Sequence, residues 1–423
     1  MNGARADALS ARSHLAGTGW IGRKAESFRH IAPPAAEVWL GGEIDTAAPD
    51  GDADLRDGAG WTLQPLGPLP HGRIDARWLD AANPTQRTEL FAGLPTPGDD
   101  EAAPFAWAHR ALCVQGLRLR IAGFDGYPAA GDDTPAVCLQ LNLKPRGTVD
   151  APLLVIELEP GVRCILLETH QRDASADTPA MVQNLQVHVR LGQGATLQHV
   201  RMVLPHPEDR LAHHVHVRLD TDARYQQALL AGASSYHLQR DVLDLDGKRA
   251  NASCAAVLFN RSASLDQQVR ATHGAPHTRS DVETLALAGG RAQLVANAYT
   301  HIAPGADEAM VRQRLSGVPT DGEPRIVLRP HLEIEHDQVQ AAHGATWGAL
   351  DENALFYAGQ RGIAPSVARA LLIEGRALAL LAHGLGEAPG ALLHTLGIDA
   401  ALARCVAQHL ATSTDPTGQA DHG

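Results

Sequence analysis

The 22 histidines and five cysteines are the residues of this chain best suited to binding a metal, and their spacing limits what they can do. His343 stands in "AAHGATWGAL", between small residues and a glycine, just ahead of a helical pattern. Taken by itself it reads either as a metal ligand or as a polar residue hydrogen-bonding at a strand-to-helix junction. His214 and His216 in "HHVHV" would share one strand face, the geometry of an H-x-H metal pair. No acidic residue at a recognisable spacing completes that pair. The expected reading is two outward positions on a half-exposed strand, with Val215 and Val217 inward. His331, Glu333 and Glu335 in "HLEIEHD" likewise share a polar face while Leu332 and Ile334 face the core, which reads as a solvated strand face. Cys113, Cys138, Cys164, Cys254 and Cys405 are scattered, with no C-x-x-C pair to seed a zinc or cluster site, and suit a reducing compartment.

Several chemistries lack their signature. There is no G-x-x-x-x-G-K-[ST] and therefore no P-loop ATP site, and "AGG" at Ala288–Gly290 is a turn between strands rather than a dinucleotide fingerprint. No G-x-S-x-G nucleophile elbow occurs. A formal charge of -12, with lysine confined to positions 24, 144 and 248, argues against a surface for nucleic acid or anionic membrane. The start "MNGARADALSARSHLAG" has no apolar signal core, and no run of about 18 apolar residues occurs, so a cytoplasmic location is expected.

The elements that must position these residues fall into three zones. Residues 1–115 form an Ala-, Pro- and Gly-rich region read as helical, with amphipathic candidates "ARWLDAANPTQRTELFAGL" and "PFAWAHRALCVQGL" around the exposed loop "LPTPGDDEAAP". Residues 116–342 carry short alternating runs such as "AVCLQLNL", "LQVHVRL" and "QLVANAYT". A turn of Gly or Asp, then a small residue, then an alternating strand recurs every 25 to 45 residues or so, as in "GQGATLQHV" and "DGKRANASCAAV". The pattern fits a β-solenoid, and a β-sandwich also strings short strands between turns. In residues 343–423 the period turns helical: Val367, Leu371, Leu378 and Leu381 trace one helix face, Pro365 opens that helix, and Gly362 ends the preceding one, "DENALFYAGQR". A further helix, "DAALARCVAQHL", follows Gly397, and the tail "ATSTDPTGQADHG" is expected to be disordered.

The segment "RPHLEIEHDQVQAAHGATWGALDENALFYAGQRGIAPSVARALLIEG" strongly resembles the signature of the SufB/SufD family of iron-sulfur cluster assembly scaffolds. The features that match are Arg329, Pro330, Leu332–Ile334, Asp337, Val339, His343–Thr346, Gly348, Leu350, Asp351, Leu355–Tyr357, Arg361–Ile363, Ala368 and Ala370–Leu372. Upstream, "APLLVIELEPGVRCILLETH", "QNLQVHVRLGQGATLQHVRM" and "HGAPHTRSDVETLALAGGRAQLVANAYTHIAPGADEAM" look like the family's strand units, with Asn184, His273, Pro276, Thr278 and Ser280 among the matching positions. The N-terminal third matches only through "RKAESFRHI". The H-G-A-T run, and the absence of cysteine from "AYTHIAPGADEAMVRQRLSGVPT", place the resemblance on the SufD side of the family.

The resemblance implies a mainly β protein, a right-handed parallel β-helix flanked by α-helical N-terminal and C-terminal regions. It implies a scaffold that is not an enzyme by itself, joined in a cytosolic complex to the paralogue SufB and the ATPase SufC. The C-terminal region would dock the ATPase, through Leu355, Phe356, Tyr357, Arg361, Gly362 and Ile363, while Leu355 in particular could equally serve helix packing. His343 would contribute one ligand to a transient iron-sulfur cluster shared with SufB. Many relatives carry a cysteine two residues before that histidine, and this chain has Ala341. The thiolate that such clusters mainly use would then come from SufB. Participation of His273, His331 or His336 stays open, as does a homodimer of the isolated chain. Two other function classes compete: a β-helix enzyme acting on carbohydrate, and a histidine-based metal hydrolase.

Overall fold

The structure, a computed structural model, describes residues 3–411 apart from 23, 42–60, 68–73, 99, 124–135, 144–147, 173–178 and 387–388. The first zone holds helices α1 (Gly3–Thr18) and α2 (Ala36–Leu40), strands β1 (Trp61–Pro65) and β2 (Ile74–Asp80), and helices α3 (Pro84–Leu90) and α4 (Ala103–Leu112). Then come β3 (Gln115–Ile121), β4 (Val137–Leu143), β5 (Val149–Asp150), β6 (Leu153–Leu158), β7 (Arg163–Gln171), β8 (Val182–Leu191), β9 (Thr196–Leu204), β10 (Arg210–Leu219) and β11 (Arg224–Gly232). The strand run continues through β12 (Tyr236–Leu245), β13 (Asn251–Asn260), β14 (Ser264–His273), β15 (Arg279–Ala288), β16 (Gln293–Ile302), β17 (Ala309–Pro319), β18 (Arg325–Ile334) and β19 (Val339–Trp347). Helices α5 (Glu352–Gln360), α6 (Pro365–Gly384), α7 (Pro389–Thr395) and α8 (Ile398–Ala411) close the described chain. Most of the expected disordered tail lies outside the described residues.

From β6 onward, successive strands alternate between two sheets, so each strand stacks in parallel on the strand two further along. The result is a β-solenoid of about seven turns. One wall runs β1-β4-β7-β9-β11-β13-β15-β17-β19, and the other β18-β16-β14-β12-β10-β8-β6-β3-β2. Alternation aims one parity of every strand into the bore, where Leu185, Val187, Leu197, Val215, Leu243 and Val269 are among the residues of the main core.

The turn unit read from the sequence has a physical basis. Gly194, Asp222, Arg249, His277 and Glu308 each adopt positive φ at the corner that leads into the next strand of the first wall. The N–H of each donates to a turn carbonyl one coil further on, as in Asp222 to Lys248 and Arg249 to Pro276 at 2.9 and 3.0 Å. The following residue is small and fully buried, such as Ala195, Ala223 or Ala250. A left-handed residue and a small one are needed to turn the corner tightly.

Two strands appear in the zone read as wholly helical. "ARWLD" lies in β2, which pairs antiparallel with β3, and β1 pairs antiparallel with β4, so each wall begins on an antiparallel strand at this end of the solenoid. Only the second half of that candidate is helical, starting at Pro84 with Asn83 as its N-cap. The N-terminal helices lie on the outside of the second wall, packing Leu15, Phe28, Trp39 and Phe105 against Ala212, Tyr236, Leu238 and Val295. The C-terminal helices cover the opposite wall, with Ile373, Ala377, Leu381 and Val406 on Val200, Leu230, Val257 and Leu285. Helix α6 approaches β13 so closely that a Cβ on Gly384 would stand 2.3 Å from that of Ala255.

Candidate functional site

The solenoid's other end is open. Among the described residues nothing pairs with the outer edges of β18 and β19, which leaves two rows of backbone donors and acceptors facing outward. Long bare parallel edges are templates for a further strand.

His343 lies within β19, which continues to Trp347, so it is a strand residue and not part of the junction; the helices begin at Glu352. It pairs in register with Gln313, and the column His199, Gln227, Cys254, Val282, Gln313, His343 runs along one wall of the bore. Parallel in-register stacking keeps a column on one face, so His343 is aimed inward but is exposed, because no later coil covers it. Beneath it, buried Gln313 donates to Thr300 Oγ1 (2.8 Å) and to the His331 carbonyl (3.1 Å), and its own carbonyl oxygen has no partner among the described residues.

None of the five cysteines stands on the terminal coil. The nearest in the same column, Cys254, is three strands inward, about 14 Å at the usual strand spacing. Burial raises every thiol above its ordinary value, Cys113 to about 12 and Cys405 to about 11, with Cys138, Cys164 and Cys254 moved the same way. Cys113, Cys164, Cys254 and Cys405 are inert core thiols, and half-buried Cys138, on the outward parity of β4, is no ready thiolate either.

Deeper in the bore lies a polar network that the sequence reading missed. Glu168 accepts from His170 (2.6 Å), His199 (2.9 Å) and both Nε and Nη2 of Arg201 (3.1 and 2.9 Å). Arg201 donates onward to Gln239, which meets His213 and His237. Burial alone would raise the Glu168 carboxyl, but Arg201 and the two imidazoles hold it well below the usual range. A signal was present in "LETH", "LQHVRM" and "YHLQRDV", where polar residues occupy inward parity among apolar strands.

The suspected H-x-H pair has the expected parity, with Val215 and Val217 inward, but the strand is not half-exposed. The N-terminal helices cover it: His214 is buried 5.2 Å from the Phe105 ring, and His216 stacks on His188 at 4.9 Å. Of the other histidines, His273 is buried between the hydroxyls of Thr278 and Ser280, both at 2.8 Å. His331 stacks outside on Tyr299, and His336 is bound to Asp307. All three are thus engaged elsewhere than with His343.

Beside the open coil, the C-terminal helices begin with an apolar surface. Trp347 and Phe356 are each 68 % exposed and Tyr357 59 %, with Val367 and Leu371 half exposed beyond them. Of the expected docking residues, Phe356, Tyr357, Arg361 and Gly362 are exposed, whereas Leu355 and Ile363 are half-buried. Arg361 lies over the Tyr357 ring, 3.4 Å from its centroid. Asp351 caps the start of α5, and Gly362, at φ 77°, ends it, with Ile363 N–H reaching the Ala358 carbonyl at 3.2 Å. The apolar stripe of α6 divides: Leu381 is buried on the sheet, while Val367 and Leu371 at the helix start face outward. Among the described residues no helix is long and apolar enough to cross a membrane.

Together these features define the class: a parallel β-solenoid flanked by N-terminal and C-terminal helices, both of whose walls finish on bare parallel strands at the end that carries His343. The profile of the SUF system FeS cluster assembly, SufBD core domain, matches residues 142–376, more than half of the chain, and the chain belongs to that family. It is similar to the iron-sulfur cluster assembly protein SufD of Escherichia coli, 26% identical over 193 residues, covering 44% of each chain. It is also similar to iron-sulfur cluster assembly SufBD family proteins of Mycobacterium tuberculosis and Mycobacterium leprae, 25% identical over 132 residues, 31% of this chain and 16% and 15% of theirs. The chain thus spans less than a fifth of the mycobacterial relatives it matches and less than half of the Escherichia coli one.

Proposed function

We propose that this protein is a non-catalytic scaffold subunit in iron-sulfur cluster assembly, in the manner of SufD, joining a SufB paralogue at its open solenoid end and a SufC-type ATPase through its C-terminal helices in the cytoplasm. The observation that carries this reading is the coincidence, at one end of a SufBD-family solenoid, of bare parallel edges, an inward-aimed exposed imidazole and an exposed apolar helix surface. Bare edges on both walls suit continuation by a second solenoid, because each added strand satisfies a full row of backbone groups. Phe356 and Tyr357, held exposed by the fixed ends of α5, suit a partner's apolar groove. Family membership favours this reading over a carbohydrate-active or hydrolytic one.

The cluster is cargo, and the donors present fit a shared site. This chain offers His343 without a neighbouring thiol, Ala341 standing at the preceding inward position, so the thiolates come from the partner. One imidazole at the rim holds a cluster loosely enough for it to be passed on. The test is co-expression with SufB and SufC, pull-down, and anaerobic measurement of iron and sulfide in the complex. A stable three-protein complex whose cluster content drops in His343→Ala is the expected result. Failure of the complex to form, or wild-type iron and sulfide in the variant, would overturn the corresponding part of the reading.

A further inference from the structure

The last two coils carry a second group of donors, on the outer face of the second wall and apart from His343. His301 on β16 and Glu333 on β18 are register partners, so their side chains leave the same wall side by side. Ile302 and Leu332, of opposite parity, turn inward, and Ile302 is fully buried, which fixes the outward direction of His301 and Glu333. Just past the end of β18, the Glu335 N–H still donates to the Ile302 carbonyl at 2.9 Å, so Glu335 keeps the parity of Glu333. The ligand atoms of His301, Glu333 and Glu335 all lie within 4.8 Å of one another, and His301 Nε2 is 3.5 Å from Glu335 Oε2.

Electrostatics sharpen the grouping. Among the described residues, no lysine or arginine pairs with Glu333 or Glu335. Arg270, the cation on the strand next to β16, lies over the Tyr299 ring at 4.6 Å instead. Glu333 accepts from the Tyr299 hydroxyl, which leaves its second oxygen free while orienting the group, as outer-shell partners of metal-bound carboxylates do. Two carboxylates converge beside one imidazole with no cation to balance them.

We infer that His301, Glu333 and Glu335 form an exchangeable site for a divalent transition ion of the iron(II), manganese(II) and zinc(II) class. Ligands about 2.1 Å from a common ion stand roughly 3.0–3.5 Å apart, so the His301–Glu335 pair is already at that spacing. The remaining approach, on the order of 1 Å, lies within the rotamer reach of exposed glutamates. One imidazole with two carboxylates selects borderline ions over calcium or magnesium, which prefer all-oxygen shells. Three protein ligands on an open face leave further coordination positions to water, so the ion would exchange readily. The site does not depend on the proposed assembly role, since its ligands all come from this chain.

The test is a titration of the full chain, stripped with chelator, by Mn2+, with free Mn2+ followed by electron paramagnetic resonance. One saturable equivalent is expected, displaced by Fe2+ under anaerobic conditions and not by millimolar Mg2+. His301→Ala and Glu335→Gln should each weaken binding at least tenfold, whereas His343→Ala and His336→Ala should leave it unchanged. All four side chains are exposed or partly so, and circular dichroism checks that the variants fold. Absence of a saturable site, equal binding in the His301→Ala/Glu335→Gln double variant, or loss of binding through His343→Ala instead would each overturn the assignment.

Discussion

Mild acidification should loosen this fold. Four buried histidines, His109, His237, His273 and His409, have their pKa pushed by burial from the ordinary 6.5 down to about 4. Each is neutral in the folded chain near pH 6 but takes up a proton once unfolded. Protons are therefore gained on unfolding, and stability falls as pH drops from about 6.5 toward 4. Between pH 7.5 and 5.5 each ring contributes a loss of about 1.3 kcal/mol, roughly 5 kcal/mol together. Asp266 acts in the opposite sense, because burial raises its carboxyl to about 7 and the fold binds its proton first. That offsets roughly 2 kcal/mol over the same interval, leaving a net loss of roughly 3 kcal/mol. His170, His213, His214 and His216, also pushed down by burial, add to the loss, while Asp150, Asp241 and Asp244, whose carboxyls burial raises, work against it. With a urea m-value of about 3 kcal/mol/M, the unfolding midpoint should fall by roughly 1 M between pH 7.5 and 5.5. His409→Gln, which can keep the contact with Thr320 Oγ1 now made at 2.9 Å, should shrink that fall by about 0.4 M. A midpoint that holds or rises on acidification would refute the reasoning.

Other outcomes follow from single contacts. Arg201→Met leaves Glu168 buried without its cation and should cost about 3–5 kcal/mol, read as a lower urea midpoint at pH 7.5, while Glu168→Gln in the same background should recover part of the loss. Gly384→Val forces a side chain into Ala255 and should destabilise by about 1–3 kcal/mol or displace α6, which limited proteolysis of the C-terminal helices would report. Asp351→Ala removes the cap of α5 and should cost about 1 kcal/mol, seen as faster hydrogen exchange of Asn353 and Ala354. Phe356→Ala with Tyr357→Ala should leave the melting temperature within about 1 °C, since both rings are exposed, yet abolish co-purification of a SufC partner; retained co-purification would place the docking surface elsewhere.

The turn chemistry and strand parity of this protein were legible in its residues. A left-handed corner followed by a buried small residue is a local requirement, so "GQGATLQHV" announces its own geometry, as do Gly362 and Pro365 at the ends of α5 and α6. Parity likewise put Val215 and Val217 inside and Leu332 inside. What parity could not show is what covers the outer face. His214 looked half-exposed until helices from 100 residues upstream were seen to lie on it, and Val367 looked buried until the start of α6 proved uncovered. "ARWLD" has helical period, and becomes a strand because the first coil needs an antiparallel partner at β3. His343 shows the division most directly. The residues around it pointed to the family, but only in-register stacking over Gln313, Val282 and Cys254 turns its side chain toward the bore at a rim where, among the described residues, no later coil follows. The same stacking brings His301 to Glu333 and Glu168 to Arg201 across some 32 residues of chain. The sequence by itself determined the turns, the strand parity of the solenoid, the C-terminal helix ends and the family resemblance, because those rest on local sterics and on motif; tertiary structure decided which polar residues meet, because a solenoid joins residues one coil apart and the length of each coil is set by its turns.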